Sequence, residues 1–418
     1  MSAPGQTYGI APFTDHLIEA TALSRVQLSM AYMFGTIGSA LLLTHAGRLY
    51  DRFGARVMAP VSCLAMGGVL VILSQCDRIV RFLADLVHLE HSTALAFCLL
   101  LFGFFVLRFS GQGVLTMASK NMVMNWFDRY RGLVTGIAGM IIAPSFSAAP
   151  IVLNQLVKAW GWRGAWMLLA LITGLGYAAV SALFYRDNPE SCGLKPDGPM
   201  ARRKGQEPKP SHTPSREFAL PEARRHPAFW IFTAGLGLFG LYMTGLSFHV
   251  SSIFETSGLP RDRAFSVFLP GAAVSICLRP FVGYLADRIP LKHLLAALVT
   301  GTAISSLGLC LLNTAIGWWL IVFGNGLAGS TFGTLSAVTW PMFYGRTHMG
   351  AISGLNMSVV VFASAIGPSA FGVTRSVTGT YRGAGIACAI VAVAIIIAAR
   401  WADQPVADDP STGAHAPP

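Results

Sequence analysis

The chain has 418 residues, of which 53% are apolar and only 12% are charged, and its mean hydropathy is +0.56. Soluble globular proteins carry roughly 25% charged residues, so this composition excludes an ordinary soluble enzyme with a polar surface. The net charge of +11 does not indicate nucleic-acid binding, because the 30 Lys and Arg lie in short clusters between long apolar runs. That distribution is typical of a membrane protein that crosses the bilayer many times.

The seven cysteines form no CxxC pair and show no spacing to histidine that would predict a zinc site. We therefore expect no metal, no cofactor and no catalytic residue. The start of the chain lacks a basic region followed by an apolar stretch, so no cleavable signal peptide is predicted.

Eleven apolar runs are long enough to cross the roughly 30 Å of bilayer hydrocarbon, which requires about 20 residues each. They are 27–46, 57–76, 94–118, 132–155, 164–185, 228–251, 264–285, 293–312, 316–340, 350–374 and 382–402. A twelfth run precedes Asp15, where a helix would reach only about 21 Å. Either this first helix is short or re-entrant, or the natural start lies upstream and the helix is truncated.

The distribution of basic residues predicts the orientation of the chain. Nineteen of the 30 Lys and Arg fall on one side of the predicted spans, with Lys120 counted in a loop, and nine fall on the other side. The positive-inside rule assigns the richer side, with the C-terminus, to the cytoplasm. We expect a multi-pass protein of the plasma (inner) membrane, in contact with lipid and monomeric.

The segment 186–226 is the predicted boundary between two halves of similar size. It is rich in Pro, Lys, Arg, Glu and Ser, a composition that favours a largely disordered, solvated cytoplasmic linker; contact with anionic lipid heads is the alternative. The predicted organisation is an N-terminal bundle at 1–185, this linker, a C-terminal bundle at 227–402 and a disordered tail at 403–418.

The two halves repeat each other. The segment 47–52 (GRLYDR) matches 283–288 (GYLADR), and 132–136 (GLVTG) matches 350–354 (GAISG). Each pair lies at the corresponding turn of its half. Two repeated halves joined by a cytoplasmic linker are the organisation of a secondary transporter.

Several motifs resemble those of a known family. Residues 47–56 (GRLYDRFGAR) resemble the loop between helices 2 and 3 of the major facilitator superfamily, and 107–113 (LRFSGQG) is similar to its helix-4 motif. The segments 125–132 (NWFDRYRG), 188–198 (NPESCGLKPDG) and 279–283 (RPFVG) resemble its monocarboxylate and oxalate–formate branch. The resemblance implies an all-α membrane protein with two six-helix bundles around a central cavity, which operates by alternating access.

Arg279 is the strongest candidate for a substrate-binding residue. It lies eight residues before Asp287 at a predicted helix end, hence about 12 Å into the membrane, where a charge is costly and indicates function. The corresponding residue of the first half is Leu43, so the fold does not require arginine there. We favour an anion-binding role over a structural ion pair. The resemblance implies the same, since the branch uses this arginine for a carboxylate, which the planar guanidinium can bind through two hydrogen bonds.

Two further titratable groups lie deep in predicted spans. Arg108 corresponds to Gly326 in the second half; the resemblance favours a role in bracing helices or in coupling, with direct substrate contact as the alternative. His249 is either a proton-coupling group or a hydrogen-bonded packing residue. Polar and aromatic candidates for the cavity wall are Gln6, Tyr8, Tyr32 and Asn325.

The chain departs from the branch at two positions. Ser275 stands where the proton-coupled carriers have an aspartate, and Val360 stands near where the oxalate–formate exchangers have a lysine. None of the 19 Asp and Glu lies in the middle of a predicted span. With one central cation, a monoanionic substrate fits better than a dianion.

The resemblance implies that the signature loops act as gates. Asp51 and Asp287 would lie at helix ends, where a carboxylate can meet the N-terminus of a facing helix, and glycines there allow close helix approach. The predicted gating residues are Gly47, Asp51, Arg52, Gly54, Arg56, Arg131, Gly283, Asp287 and Arg288.

The sequence therefore predicts a secondary active transporter of a small organic anion, a monocarboxylate in particular. The alternative is a multidrug or hydrophobic-compound exporter of the same fold, which would require a carboxylate embedded in the membrane. A membrane enzyme or sensor would require a catalytic cluster or a signalling domain, and neither is visible in the sequence. Exchange, uniport and proton coupling all stay open.

Overall fold

The computed structural model describes residues 3–86, 93–198 and 216–405, and within these ranges the chain is helical without strands. Nine helices of this part are long and apolar enough to cross a membrane. The centre of the predicted linker and most of the predicted tail lie outside the described residues.

The first half begins with short helical turns from Ala3 and continues through long helices interrupted by wider turns. Its helices are α1 (Thr14–Thr21), α2 (Arg25–Ser74), α3 (Cys76–Leu86), α4 (Thr93–Leu107), α5 (Thr116–Trp126), α6 (Arg131–Leu169) and α7 (Tyr177–Phe184). Wide π-helical turns at Arg108–Leu115 and Ala170–Gly176 join α4 to α5 and α6 to α7.

The second half has six long helices that follow a short one. They are α8 (Leu220–Ala223), α9 (Pro227–Thr256), α10 (Phe268–Ala286), α11 (Leu291–Cys310), α12 (Ala315–Tyr344), α13 (Met349–Thr378) and α14 (Arg382–Ala398). A 3-10 turn at Arg261–Val267 leads into α10.

Two glycines explain why two helices are far longer than a bilayer is thick. Gly54 in α2 and Gly161 in α6 have φ of +72° and +70°, a backbone region that residues with a Cβ rarely adopt. The chain therefore bends back at each glycine: α2 crosses the membrane twice, and α6 crosses once before its bend and begins a second crossing that α7 completes. Divided at these bends, the long helices correspond to the eleven predicted spans.

Helix ends follow local sequence signals. Ser24 and Gln27 form a capping box at the start of α2, and Pro227 occupies the first position of α9. Gly379 ends α13 in the left-handed conformation, where a glycine costs little. These signals place the turns of the bundles.

Two features of the first half differ from the sequence prediction. The span predicted at 94–118 continues through α5 to Trp126, so Lys120 lies within a helix and not in a loop. The helix α3 (Cys76–Leu86) was not predicted, because its apolar residues alternate with charged ones along a short amphipathic helix. At its start, partial burial would raise the pKa of Asp77, but the guanidinium of Arg163 lowers that pKa below its ordinary value.

Buried apolar side chains form two main cores, one from each half of the chain. The first contains Phe13, Phe104 and Trp166, and the second contains Phe229 and Tyr242, all less than 3% exposed. Between the cores, α2 packs on α13 and α6 packs on α10. The halves thus meet along two pseudo-equivalent helix pairs.

The described ends of the predicted linker contact the turns that precede α6 and α13. The side chain of Asp197 accepts hydrogen bonds from the amides of Asp128 and Arg129. Glu217 accepts one from the amide of Thr347 at 2.9 Å. We call the end of the molecule where these contacts and the bend at Gly54 lie the linker face, and the opposite end the outer face.

Candidate substrate-binding site

A cavity of about 240 Å³ lies among α9, α10 and α12 in the second half. Most of its wall is apolar, and its polar groups come from three side chains. The lining residues are Phe239, Met243, Val267, Phe268, Gly271, Ala272, Ser275, Arg279, Asn325 and Gly329. The cavity can hold a small molecule that has an apolar part and a polar end.

Arg279 lies at the boundary between this cavity and the first half. Its guanidinium lies against Gly333 of α12 and against Gly139 of α6, where an added Cβ would approach it closer than 3.0 Å. Its Nη2 donates a long hydrogen bond of 3.5 Å to the carbonyl of Gly329, and its buried Nε has no partner among the described residues. The guanidinium thus keeps capacity to bind an anion.

Lys120 brings a second cation to the same region, and the sequence analysis missed it. Its Nζ donates to Ser336 Oγ at 3.1 Å, one helical turn beyond Gly333 on α12. The region between the halves therefore holds two cations, where the sequence analysis counted one.

Arg108 connects the first helical turns to α2 and is only 3% exposed. Its Nη1 donates to the carbonyl of Gly5 at 3.1 Å, and its guanidinium carbon lies 5.3 Å from the ring centroid of Tyr32. The residue lies in the π-helical segment Arg108–Leu115. These contacts match a bracing residue.

His249 is held within the second half. Its Nε2 donates to the carbonyl of Pro368 at 2.8 Å, which leaves Nδ1 to accept from the hydroxyl of Tyr381 at 3.2 Å. The histidine is not among the residues that line the cavity. Nearby, Pro368 has no N–H for the carbonyl of Ser364, and Thr244 Oγ1 donates to that carbonyl instead.

The remaining cavity candidates are distributed over both halves. Asn325 lines the cavity and accepts a hydrogen bond from Ser305 Oγ at 3.0 Å. Tyr32 packs edge-on against Phe104. Gln6 is partly buried in the first turns, and the side chain of Tyr8 lies outside the described part of the chain.

The two departures from the family pattern lie in different environments. Ser275 faces the cavity one helical turn from Arg279. Val360 is buried at 7% exposure and packs against Gly240 of α9. Of these two positions, only Ser275 lines the cavity.

On the linker face, each half places a carboxylate on the start of a helix from the other half. Asp51 Oδ1 and Oδ2 accept hydrogen bonds from the amides of Gly350 and Ala351 at 2.6 and 2.8 Å. Asp287 accepts them from the amides of Gly132 and Leu133 at 2.7 and 2.9 Å. In both cases these are the second and third amides of the helix, whose N–H groups have no partner within the helix. The motifs that repeat in the sequence therefore make equivalent contacts in the two halves of the structure.

Glycines allow the backbones to touch beside these carboxylates. Gly47 meets the carbonyl of Gly350, and Gly283 meets the carbonyl of Gly132, so closely that an added Cβ would lie under 3.0 Å from either oxygen. Gly54, with its positive φ, lies against the carboxylate of Asp187. The linker face is closed in this structure.

The predicted gating cations take different positions. Arg52 and Arg288 are exposed and lie over the rings of Phe53 and Tyr284. Arg56 is also exposed, and its amide donates to Asp187 Oδ1 at 2.9 Å. Arg131 is fully buried; it donates to the carbonyl of Met124 and forms an ion pair with Asp128. Only Arg131 holds a position inside the interface.

A further contact across the halves was missed by the sequence analysis. Arg346 donates to the carbonyl of Asn125 and forms an ion pair with Glu190, both at 2.8 Å. Glu190 belongs to the segment 188–198 that carries the family resemblance, but its partner lies 156 residues away. No local pattern predicts that pairing.

Comparison with known sequences identifies a family. The sequence model of the Major Facilitator Superfamily matches residues 1–368. Monocarboxylate transporter 11 of Mus musculus is 25% identical over 382 residues, which are 88% of this chain and 74% of that protein. The protein of the same name from Homo sapiens is 26% identical over 389 residues, covering 89% of this chain and 72% of that protein.

Solved structures share the fold at low sequence identity. The proton:xylose symporter XylE superposes with a TM-score of 0.68 at 13% identity, covering 96% of this chain and 93% of that one. The E. coli fucose:proton symporter FucP gives a TM-score of 0.62 at 13% identity, covering 95% and 97%. The predicted all-α membrane fold of the superfamily is confirmed.

Proposed function

The chain belongs to the major facilitator superfamily and is an integral multi-pass membrane transporter, and on that premise we propose that it moves a small organic anion, a monocarboxylate in particular. In this proposal the carboxylate binds Arg279 and the rest of the substrate occupies the cavity among α9, α10 and α12. The names of the mammalian relatives support a carboxylate as substrate.

One observation carries the proposal. The guanidinium of Arg279 lies deep between the halves and lines the cavity, and among the described residues no carboxylate forms an ion pair with it. The Arg279 side chain is partly buried, and a charge taken out of water without an opposite charge nearby is costly, so we infer that a ligand supplies the opposite charge. Ser275 and Asn325 add hydrogen-bonding groups to the same wall.

The proposed transport mechanism is alternating access, in which the two halves rock about the central site. The linker face is held closed by the contacts of Asp51 and Asp287 and by the backbone contacts at Gly47 and Gly283. Breaking these contacts would open that face and release the anion there. We place the linker face in the cytoplasm and the transporter in the plasma membrane as a monomer, in agreement with the distribution of basic residues.

The apolar part of the cavity wall favours a second candidate function, the export of a hydrophobic compound. Phe239, Met243 and Phe268 would suit a hydrophobic compound, as in an exporter of the same fold. That function does not need Arg279, so the arginine separates the two candidates.

The test is a thermal-shift titration of purified protein with formate, acetate, pyruvate, benzoate and succinate, compared with chloride. A ligand that binds only the folded state stabilises it by about 2.7 kcal/mol at a hundredfold excess over Kd. Truncating a buried charged partner typically costs about 2–5 kcal/mol. We therefore expect Arg279→Leu to weaken carboxylate binding at least about 30-fold.

Two controls keep the outcome interpretable. The first half has Leu43 at the equivalent position, so the leucine variant is expected to fold, and Arg279→Lys keeps the charge while losing the planar fork. Stabilisation by hydrophobic cations or neutral amphiphiles, unchanged in Arg279→Leu, would reject the anion and favour the exporter.

A further inference from the structure

Lys120 occupies a position on the first half that faces the anion-binding arginine of the second half. It lies in α5, and its ammonium reaches across to Ser336 of α12. Gly333, against which the Arg279 guanidinium lies, is one helical turn from Ser336, or about 4.5 Å along the helix axis. The two cations therefore approach each other from opposite halves.

These cations have no opposite charge to balance them within the described structure. No Asp or Glu of the described ranges forms an ion pair with Lys120 or Arg279. Two like charges in a medium of low polarity repel each other. The contact between the halves is therefore strained electrostatically unless an anion lies between them.

The internal repeat shows that the fold does not need a lysine at this place. Lys120 lies twelve residues before Gly132, and the residue twelve before Gly350 in the second half is Val338. Val338 is fully buried in the apolar core. An apolar side chain thus satisfies the same helix position where no cation is required.

We propose that Lys120 is the second cation of the substrate site, so that the carboxylate of the transported anion is held between Lys120 of one half and Arg279 of the other. This inference rests on the proposed function. It makes the anion a bridge between the halves, and it assigns a substrate-binding role to a residue outside the cavity of the second half.

The test uses the same five carboxylates on the full chain, with Lys120→Met, Lys120→Arg, Ser336→Ala and Lys292→Met compared with the unmodified protein. Lys292 is a matched control, since it is a lysine paired with Asp403 at 2.6 Å away from the site. We expect Lys120→Met to weaken carboxylate binding at least tenfold and to melt at a higher temperature than the unmodified protein when no carboxylate is present. Lys120→Arg, Ser336→Ala and Lys292→Met are expected to bind within about threefold of the unmodified protein.

Each alternative result has a separate meaning. If Lys120→Met binds carboxylates as well as the unmodified protein while Arg279→Leu does not, Lys120 is structural and the proposal here is overturned, although the proposed function stands. If Ser336→Ala weakens binding as much as Lys120→Met does, the lysine acts only by holding α12, which also overturns the proposal. If no carboxylate binds, or if Arg279→Leu binds normally, the proposed function itself fails. Should Lys120→Met not fold, Lys120→Gln takes its place with the same expected loss.

Discussion

Replacing Gly283 with valine is expected to reduce transport at least 100-fold while leaving the protein folded. A Cβ at this position would overlap the carbonyl oxygen of Gly132, and backbone atoms of two packed helices cannot move aside as a flexible side chain can. Overpacking of this kind costs up to about 3 kcal/mol, which corresponds to more than a hundredfold change in an equilibrium constant. With α6 and α10 held apart, the linker face could not close, and the transport cycle would stop. Uptake of a carboxylate by proteoliposomes measures the loss.

Gly47 on α2 is the first-half equivalent of Gly283, and the same helix also supplies a matched control, Gly68. Gly68 in α2 has no atom within 4 Å of an added Cβ, so Gly68→Val should transport normally, whereas Gly47→Val should fail as Gly283→Val does. A cysteine placed at Ser353, which is 7% exposed between the halves, reports the open face through labelling by a membrane-impermeant maleimide. Normal uptake by Gly283→Val would show that these helices need not touch during transport.

Neutralising the two carboxylates of the linker face is expected to shift the protein toward the state in which that face is open. Asp51 and Asp287 each accept two backbone hydrogen bonds from a helix of the other half. Hydrogen bonds to a charged group contribute about 1.5–3 kcal/mol, and the helix N-terminus adds a favourable interaction with negative charge. Asp51→Asn or Asp287→Asn should therefore increase labelling at position 353 about 10- to 100-fold, and the double variant should exceed either one.

Asp77→Asn provides the comparison for these variants. Asp77 forms ion pairs with Arg81 and Arg163 at the outer face, and these contacts lie within the first half. We expect its removal to leave labelling at position 353 unchanged. Equal labelling of position 353 in the unmodified protein, in Asp77→Asn and in all three linker-face variants would mean that the carboxylates do not hold the face closed.

The spans could be predicted because the bilayer imposes a minimum length on each apolar run. The same reliance on apolar run length explains two wrong predictions, for the end of α5 and for α3. The end of α5, with Lys120, looks like a loop because its polar side chains face another helix instead of lipid. The helix α3 has no long apolar run, because a helix on the membrane surface needs only one apolar face.

The sequence could predict that Arg279 lies deep in the membrane, because it is eight residues from Asp287 at a helix end. Leu43 at the equivalent position of the first half indicated that the fold does not require an arginine there. Lys120 could not be predicted in this way, since its role depends on the packing of α5 against α12, where Lys120 meets Ser336 although the two residues are 216 positions apart in the chain. The same applies to the ion pair of Glu190 with Arg346. The roles of all these residues in binding and gating stay predictions.

The sequence alone determined that this chain is a helical membrane protein with two repeated halves. Both the length of an apolar run and a repeated motif can be recognised within short segments of the sequence. Only the tertiary structure decided that the signature carboxylate of each half caps a helix of the other half, and that two cations approach each other between them. The capping contacts join residues 155 and 299 positions apart. They depend on how the two bundles pack, and no local pattern of residues encodes that packing.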